Sequence, residues 1–197
     1  MSDLIDVRGD GHCGFRAAAH ILFESEEKWL EVRSLLVDQY KLKFKYYNDF
    51  FLYHSKREQD EFLQKIQHEG QGRVTRKKWF ISPEMTQILA DATSRIVVVI
   101  NNKCEYKCNT FLPLFGEWNV DSPPITLVNF NGNHWVAGTI SDDYLPPLDL
   151  AQVPNKALTW TRQQLELVES KMNKWREIFP PPKTTRNATL VDLSGDV

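Results

Sequence analysis

The sequence predicts one domain of the α/β or α+β class, a sheet flanked by helices. Three observations predict it. Apolar residues recur at helical spacing through the N-terminal half. Two runs, Ile96-Val97-Val98-Val99-Ile100 and Ile125-Thr126-Leu127-Val128-Asn129-Phe130, read as strands, and a third strand follows the second. A long apolar stripe near the C-terminal end then returns to helix. At 197 residues, with 42% hydrophobic and 12% aromatic residues, the chain has the length and composition to bury a core.

Leu4-Ile5-Asp6-Val7 is a short strand or lead-in. An Asp10-Gly11 turn follows, and a helix runs from about Cys13 to Phe23. A second helix is expected over Glu26 to Tyr40, with Trp29, Val32, Leu36 and Tyr40 on its inward face. Residues 41 to 69 hold one or two further helices, ended by Gly70-Gln71-Gly72. Ser82-Pro83-Glu84 signals a helix start, with Ser82 as cap and Pro83 at the first helical position. Met85, Ile88, Leu89 and Ala92 form its apolar face. The unalternating run 96–100 predicts a strand buried on both faces. Asn131-Gly132 predicts a tight turn between strand 125–130 and a returning strand, His134 to Ile140. Residues 141–156 read as loop. Leu165, Val168, Met172, Trp175 and Phe179 place a helix over about 158–179 that packs back on the domain. Pro180-Pro181-Pro182 ends it, and a flexible tail is expected beyond.

The net charge of −2 carries no nucleic-acid signal. No apolar run reaches the roughly 18 residues of a spanning helix, and the first residues lack the pattern of a secretion signal. Three cysteines are too few for a disulfide scaffold, so a reducing, intracellular setting, cytoplasmic or nuclear, is expected. Cys104 and Cys108 have metal-compatible spacing but no second Cys or His pair nearby, so no metal is expected. Arg73, Arg76, Lys77 and Lys78 beside Trp79 form a basic loop, read as a solvated loop rather than a phosphate-binding site.

Cys13 stands out. It sits at the first turn of a helix, where free N–H groups and the helix dipole favour a thiolate. A cysteine nucleophile needs a base within hydrogen-bond reach. Of the five histidines, His12 adjoins Cys13 and its side chain diverges. His20 lies two helical turns away, about 10 Å. His54 and His68 read as surface residues. His134 opens a strand after a tight turn, with Trp135 beside it as a shield from water, and is the favoured base.

The set Gly9-Asp10-Gly11-x-Cys13-Gly14-Phe15-Arg16, then Phe111-Leu112-Pro113-Leu114, then Val128-Asn129 and His134-Trp135, resembles the ovarian tumour (OTU) family of cysteine proteases. The likeness covers residues 4 to about 140. With Pro146-Pro147 it is most similar to the divergent OTU domains of transposon-related proteins. The resemblance implies a papain-like fold with a central, mostly antiparallel sheet flanked by helices. The chain then divides into an OTU-like catalytic domain over 1–145, a C-terminal loop and helix packing on it over 146–180, and a flexible tail over 181–197. The resemblance further implies a deubiquitinase, cleaving the (iso)peptide bond after the C-terminal glycine of ubiquitin or a ubiquitin-like protein, with no cofactor. Cys13 becomes the nucleophile, His134 the general base, and Asp10 the match to the family's active-site aspartate. Backbone N–H groups of Cys13 and the preceding loop would form an oxyanion hole, worth on the order of 3 kcal/mol per donor.

The sequence departs from the family at two positions. His12 stands where Asn is usual. Val136 stands two residues after the histidine, where many members carry Asp or Asn, and valine cannot orient an imidazole. Asp10, Asn131 and Asn133 are the candidates for that task, with Asp6 a distant fourth. Asp10 or Asn131 is favoured, since a regular strand turns Asn133 away from the face of His134. The missing polar residue also motivates a second reading, a catalytically weak module that binds ubiquitin or another partner.

Overall fold

The computed structural model describes residues 3–102, 108–116, 122–148 and 160–180. In chain order the elements are β1 (Leu4–Ile5), α1 (Cys13–Phe23), α2 (Trp29–Leu42), α3 (Phe44–Phe50), α4 (Lys56–Ile66), α5 (Glu84–Thr93), β2 (Val97–Asn101), β3 (Asn109–Phe111), β4 (Ile125–Phe130), β5 (His134–Gly138) and α6 (Arg162–Ile178). Two short 3-10 turns, Glu26–Lys28 and Arg76–Lys78, precede α2 and α5. Among the described residues the fold is mixed α/β, with six helices around one sheet of order β1-β5-β4-β2-β3. Of its four strand pairs, β2–β4 is parallel and the other three are antiparallel.

The run 96–100 is buried on both faces because its side chains alternate between two cores. Val97 and Val99 join the larger cluster with Phe15, Leu36, Met85 and Leu127. Ile96 and Val98 join the smaller one with Leu112, Leu145, Val168 and Met172. Val168 and Met172 lie on α6, so that helix covers the second face of the sheet. A fully buried aliphatic side chain contributes roughly 1.5–3 kcal/mol, and both faces of the strand collect that gain.

Helix α1 approaches the sheet through Ala17, Ala18 and Ala19, all fully buried. Gly14 allows close contact with the segment before α5: a methyl group there would stand 2.3 Å from the Phe80 Cβ. Asn131 and Gly132 adopt φ values of 56° and 74°, the left-handed turn that Asn-Gly supplies, and return the chain from β4 to β5.

Several details differ from the sequence reading. The second helix begins as a 3-10 turn at Glu26 and becomes α-helical at Trp29. Ser82 does not cap α5: the Ser82–Pro83 peptide is cis, Pro83 occupies the N-cap position and the helix starts at Glu84. The last helix starts at Arg162, behind a Thr161–Gln164 capping box. Cys104, most of the 141–156 loop beyond Leu148, and the 181–197 tail lie outside the described residues. Among the described residues no helix is long and apolar enough to cross a membrane, and no three His, Cys, Asp or Glu side chains gather to hold a metal.

Candidate functional site

Cys13 is the first residue of α1 and His134 the first residue of β5. Backbone order brings the starts of these two elements together. The β4–β5 turn delivers His134 and Trp135 to the sheet end over which α1 begins, and the Cys13 sulfur meets the backbone N–H of Trp135. It also faces the N–H groups of Gly14 and of Cys13 itself, at the open N-terminus of the helix. Cys13 is buried, with 5% of its surface exposed. Burial pushes its thiol pKa up, and the three N–H groups offset this only in part. The sequence pointed to a thiolate stabilised by the helix end. Desolvation outweighs that effect here and favours the thiol form.

The His134 imidazole is half-buried, and its Nε2 lies 2.7 Å from Asp6 Oδ1. An ionised carboxylate only accepts, so Nε2 carries the proton of that bond. In the neutral ring the lone pair is then on Nδ1. That Nδ1 edge lies over Gly9, 3.8 Å from where a Cβ would stand. The hydrogen bond from His134 is the largest influence on Asp6, and it holds the carboxyl below its usual range.

The position of Asp6 follows from strand register. Leu4 pairs with Gly138 and Ile5 with Ala137. Continuing that register sets Asp6 opposite Val136, on the same face and diagonal to His134. A carboxylate from the neighbouring strand thus fills the place that residue 136 leaves apolar. The favoured candidates are engaged elsewhere. Asp10 Oδ2 accepts from Arg16 Nε at 3.0 Å and Nη2 at 2.8 Å, and Oδ1 accepts the His12 backbone N–H at 2.8 Å. Burial raises the Asp10 pKa, but Arg16 and the His12 N–H overcome it and the net direction is down. Asp10 therefore organises the loop before Cys13 and does not reach the imidazole. Asn131 and Asn133 are exposed turn residues; the Asn131 N–H bonds Asn102 Oδ1 and the Asn133 N–H bonds the Phe130 carbonyl.

Sequence reasoning missed two residues at this loop. His12 is fully buried, with ring contacts to Trp29 and His68. His68 is accordingly a partner of that ring, not simply a surface residue. Arg33 is 2% exposed and bonded to His12. A signal for Arg33 was present: it lies four residues after Trp29, inside the apolar stripe of α2. A cation at such a position needs buried acceptors.

A groove of about 440 Å³ opens against Gly132 and Trp135, which flank the His134 position in the chain. Its walls include Trp79, Ile81, Trp135 and Arg76, and its floor includes Asn101 and Asn129 at the carboxyl ends of parallel β2 and β4. In open sheets this is where ligands bind. The basic loop lies on its rim: Arg76 stacks over Trp79 at 5.3 Å, and Lys78 Nζ donates to the Gln64 carbonyl.

No protein-family model matches the sequence, and no curated protein matches it. Solved structures do match the fold. The viral OTU domain protease from Dera Ghazi Khan virus superposes with a TM-score of 0.51 at 15% identity, covering 71% of this chain and 81% of that one. The OTU domain of OTUD1 gives 0.51 at 15% identity, over 68% and 83%. An OTU domain solved in complex with ubiquitin gives 0.50 at 20% identity, over 68% and 67%. At these identities the likeness establishes that the chain has the fold of OTU domains.

Proposed function

We propose that this chain is an OTU-type cysteine protease that hydrolyses the bond after the C-terminal glycine of ubiquitin or a ubiquitin-like protein. One observation carries the reading above all: a buried cysteine at a helix N-terminus whose sulfur meets the Trp135 N–H, next in the chain to a histidine whose Nε2 bonds a carboxylate. That is the nucleophile, base and orienting arrangement of thiol proteases. The match to a ubiquitin-bound OTU domain supports the substrate class.

The chemistry follows from the groups in place. His134 Nδ1 takes the Cys13 proton as the sulfur attacks the carbonyl carbon. Asp6 stabilises the imidazolium that forms and holds the ring in one orientation. The oxyanion meets N–H groups at the start of α1, where the Cys13 amide has no helical partner. His134 returns its proton to the departing amine, and water then hydrolyses the thioester with His134 again as base. The groove beside Trp135 takes the extended tail of the substrate. No step calls for a metal or organic cofactor.

The test is reaction with ubiquitin bearing a C-terminal electrophile, wild type against Cys13→Ala, read by intact mass. A single adduct on wild type alone supports the reading. An adduct on Cys13→Ala, or turnover retained by it, removes Cys13 from the mechanism. The second reading, a weak binding module, draws on the exposure of Asp6, whose side chain is 82% exposed. Ubiquitin binding without adduct or cleavage favours that alternative.

A further inference from the structure

The buried pair His12–Arg33 belongs to no step above, yet it adjoins the nucleophile. Every polar group of His12 has a partner. Its backbone N–H bonds Asp10 Oδ1 at 2.8 Å and its carbonyl accepts the Arg16 N–H at 2.9 Å. Its Nδ1 lies 3.1 Å from Arg33 Nη2, and its Nε2 lies 3.1 Å from the Gly72 carbonyl. A guanidinium only donates and a carbonyl only accepts, so the ring is neutral with its proton on Nε2. The ring stacks on Trp29 at 4.0 Å between centroids.

Arg33 ties this ring to the rest of the helical layer. Nη1 donates to the carbonyls of Lys65 at 2.8 Å and Ile66 at 3.3 Å, at the end of α4. Nη2 also donates to the Lys78 carbonyl at 2.9 Å, and the guanidinium lies 3.6 Å over the Phe15 ring of α1. The loop has a second attachment on the same segment. The Val74 N–H bonds the Asp10 carbonyl at 2.8 Å, and Gly11, at φ +92°, leaves no room for a Cβ against the Val74 carbonyl.

We propose that Arg33 and His12 form a latch that fixes the Asp10–Cys13 loop in its reactive shape, with His12 a positioning residue acting through both ring nitrogens. The inference rests on the functional reading above, because it assigns the latch to the placement of the Cys13 N–H toward an oxyanion. Burial and the neighbouring Arg33 charge push the His12 pKa down, in keeping with a ring that stays neutral.

The distinguishing property is the kind of reaction affected. Alkylation of a cysteine by iodoacetamide needs no oxyanion donor, whereas amide hydrolysis does. His12→Phe keeps a ring against Trp29 and removes both ring bonds. His12→Gln offers one acceptor and one donor again. In the full chain, His12→Phe is expected to lower kcat on a ubiquitin-tail amide by about tenfold or more. KM and the iodoacetamide rate at Cys13 are expected to stay within about twofold of wild type. Amide hydrogen exchange over residues 10–14 should rise by about tenfold while the body of α1 keeps its protection. His12→Gln should recover most of kcat. Should His12→Phe fail to fold, Arg33→Lys, which keeps the charge but not the fork, carries the same expectations. Unchanged kcat overturns the proposal, as does a parallel fall in turnover and alkylation. A wild type that turns over no ubiquitin-type substrate defeats the functional reading instead. The exchange measurement then decides the latch alone, and unchanged exchange over residues 10–14 rejects it.

Discussion

Replacing Asp6 by Asn tests the constellation at its most distinctive point. The substitution keeps the shape of the side chain and removes the charge that faces His134 Nε2. Its size follows from exposure. The Asp6 side chain is 82% exposed and the imidazole 29% exposed, so water screens the pair. An exposed ion pair is worth at most about 1 kcal/mol, or roughly fivefold in rate. Loss of ring orientation adds an effect of similar order, so kcat/KM is expected to fall roughly five- to thirtyfold. A buried aspartate in the corresponding role of a serine protease is worth about 10⁴-fold, and the contrast is the point of the experiment. The assay is kcat/KM on a fluorogenic ubiquitin-tail amide from pH 5.5 to 9, with Asp10→Asn alongside. No change in Asp6→Asn refutes the assignment. So does a loss near 10⁴-fold, because an exposed carboxylate cannot carry it.

Three further predictions concern burial and packing. Asp91 accepts from Tyr47 Oη at 2.6 Å and from the Leu114 N–H, and burial pushes its pKa up to about 6 from 3.8. A raised carboxylate stabilises the fold below its unfolded pKa and loses that contribution as pH rises through 6, a change of about 3 kcal/mol. Denaturant melts of wild type and Asp91→Asn from pH 4 to 7.5 should therefore diverge, wild type losing ground as pH rises; parallel curves reject the shift. Gly14→Ala forces its new methyl into the Phe80 side chain and should cost about 1–3 kcal/mol in denaturant melts, where an unchanged midpoint refutes the contact. In His134→Ala, the iodoacetamide rate at Cys13 should rise only above the pH range of an ordinary cysteine, since burial raises its pKa; an inflection below that range contradicts the raised pKa.

How far the sequence could be read depends on whether a feature is local. The α1 and α5 faces, the β2 run and the Asn131-Gly132 turn are written in spacing and turn chemistry, and the sheet between helical layers follows from them. The placement of Cys13 at a helix start and of His134 at a strand start was legible because those are local signals too. The Asp6–His134 bond has no such signal, since the two residues lie 128 positions apart and meet through β1 pairing with β5, and register between distant strands has no local signature. Asp10 is a candidate by sequence alone, yet Arg16, six residues on, takes its carboxylate. The surroundings of Cys13 divide the same way: the helix end is local, but the burial that pushes its thiol pKa up comes from packed neighbours.

The edge position of β1 has a dynamic consequence. A strand of two residues, Leu4 and Ile5, both largely exposed, holds the chain segment that brings Asp6 to the imidazole. Beyond its ladder, the Asp3 N–H to Thr139 Oγ1 and the Thr139 N–H to the Asp3 carbonyl secure it. Such an edge opens at a small fraction of the free energy of global unfolding. The Asp6–His134 bond is thus the closed state of a local fraying equilibrium, made only while that short strand stays zipped to the sheet.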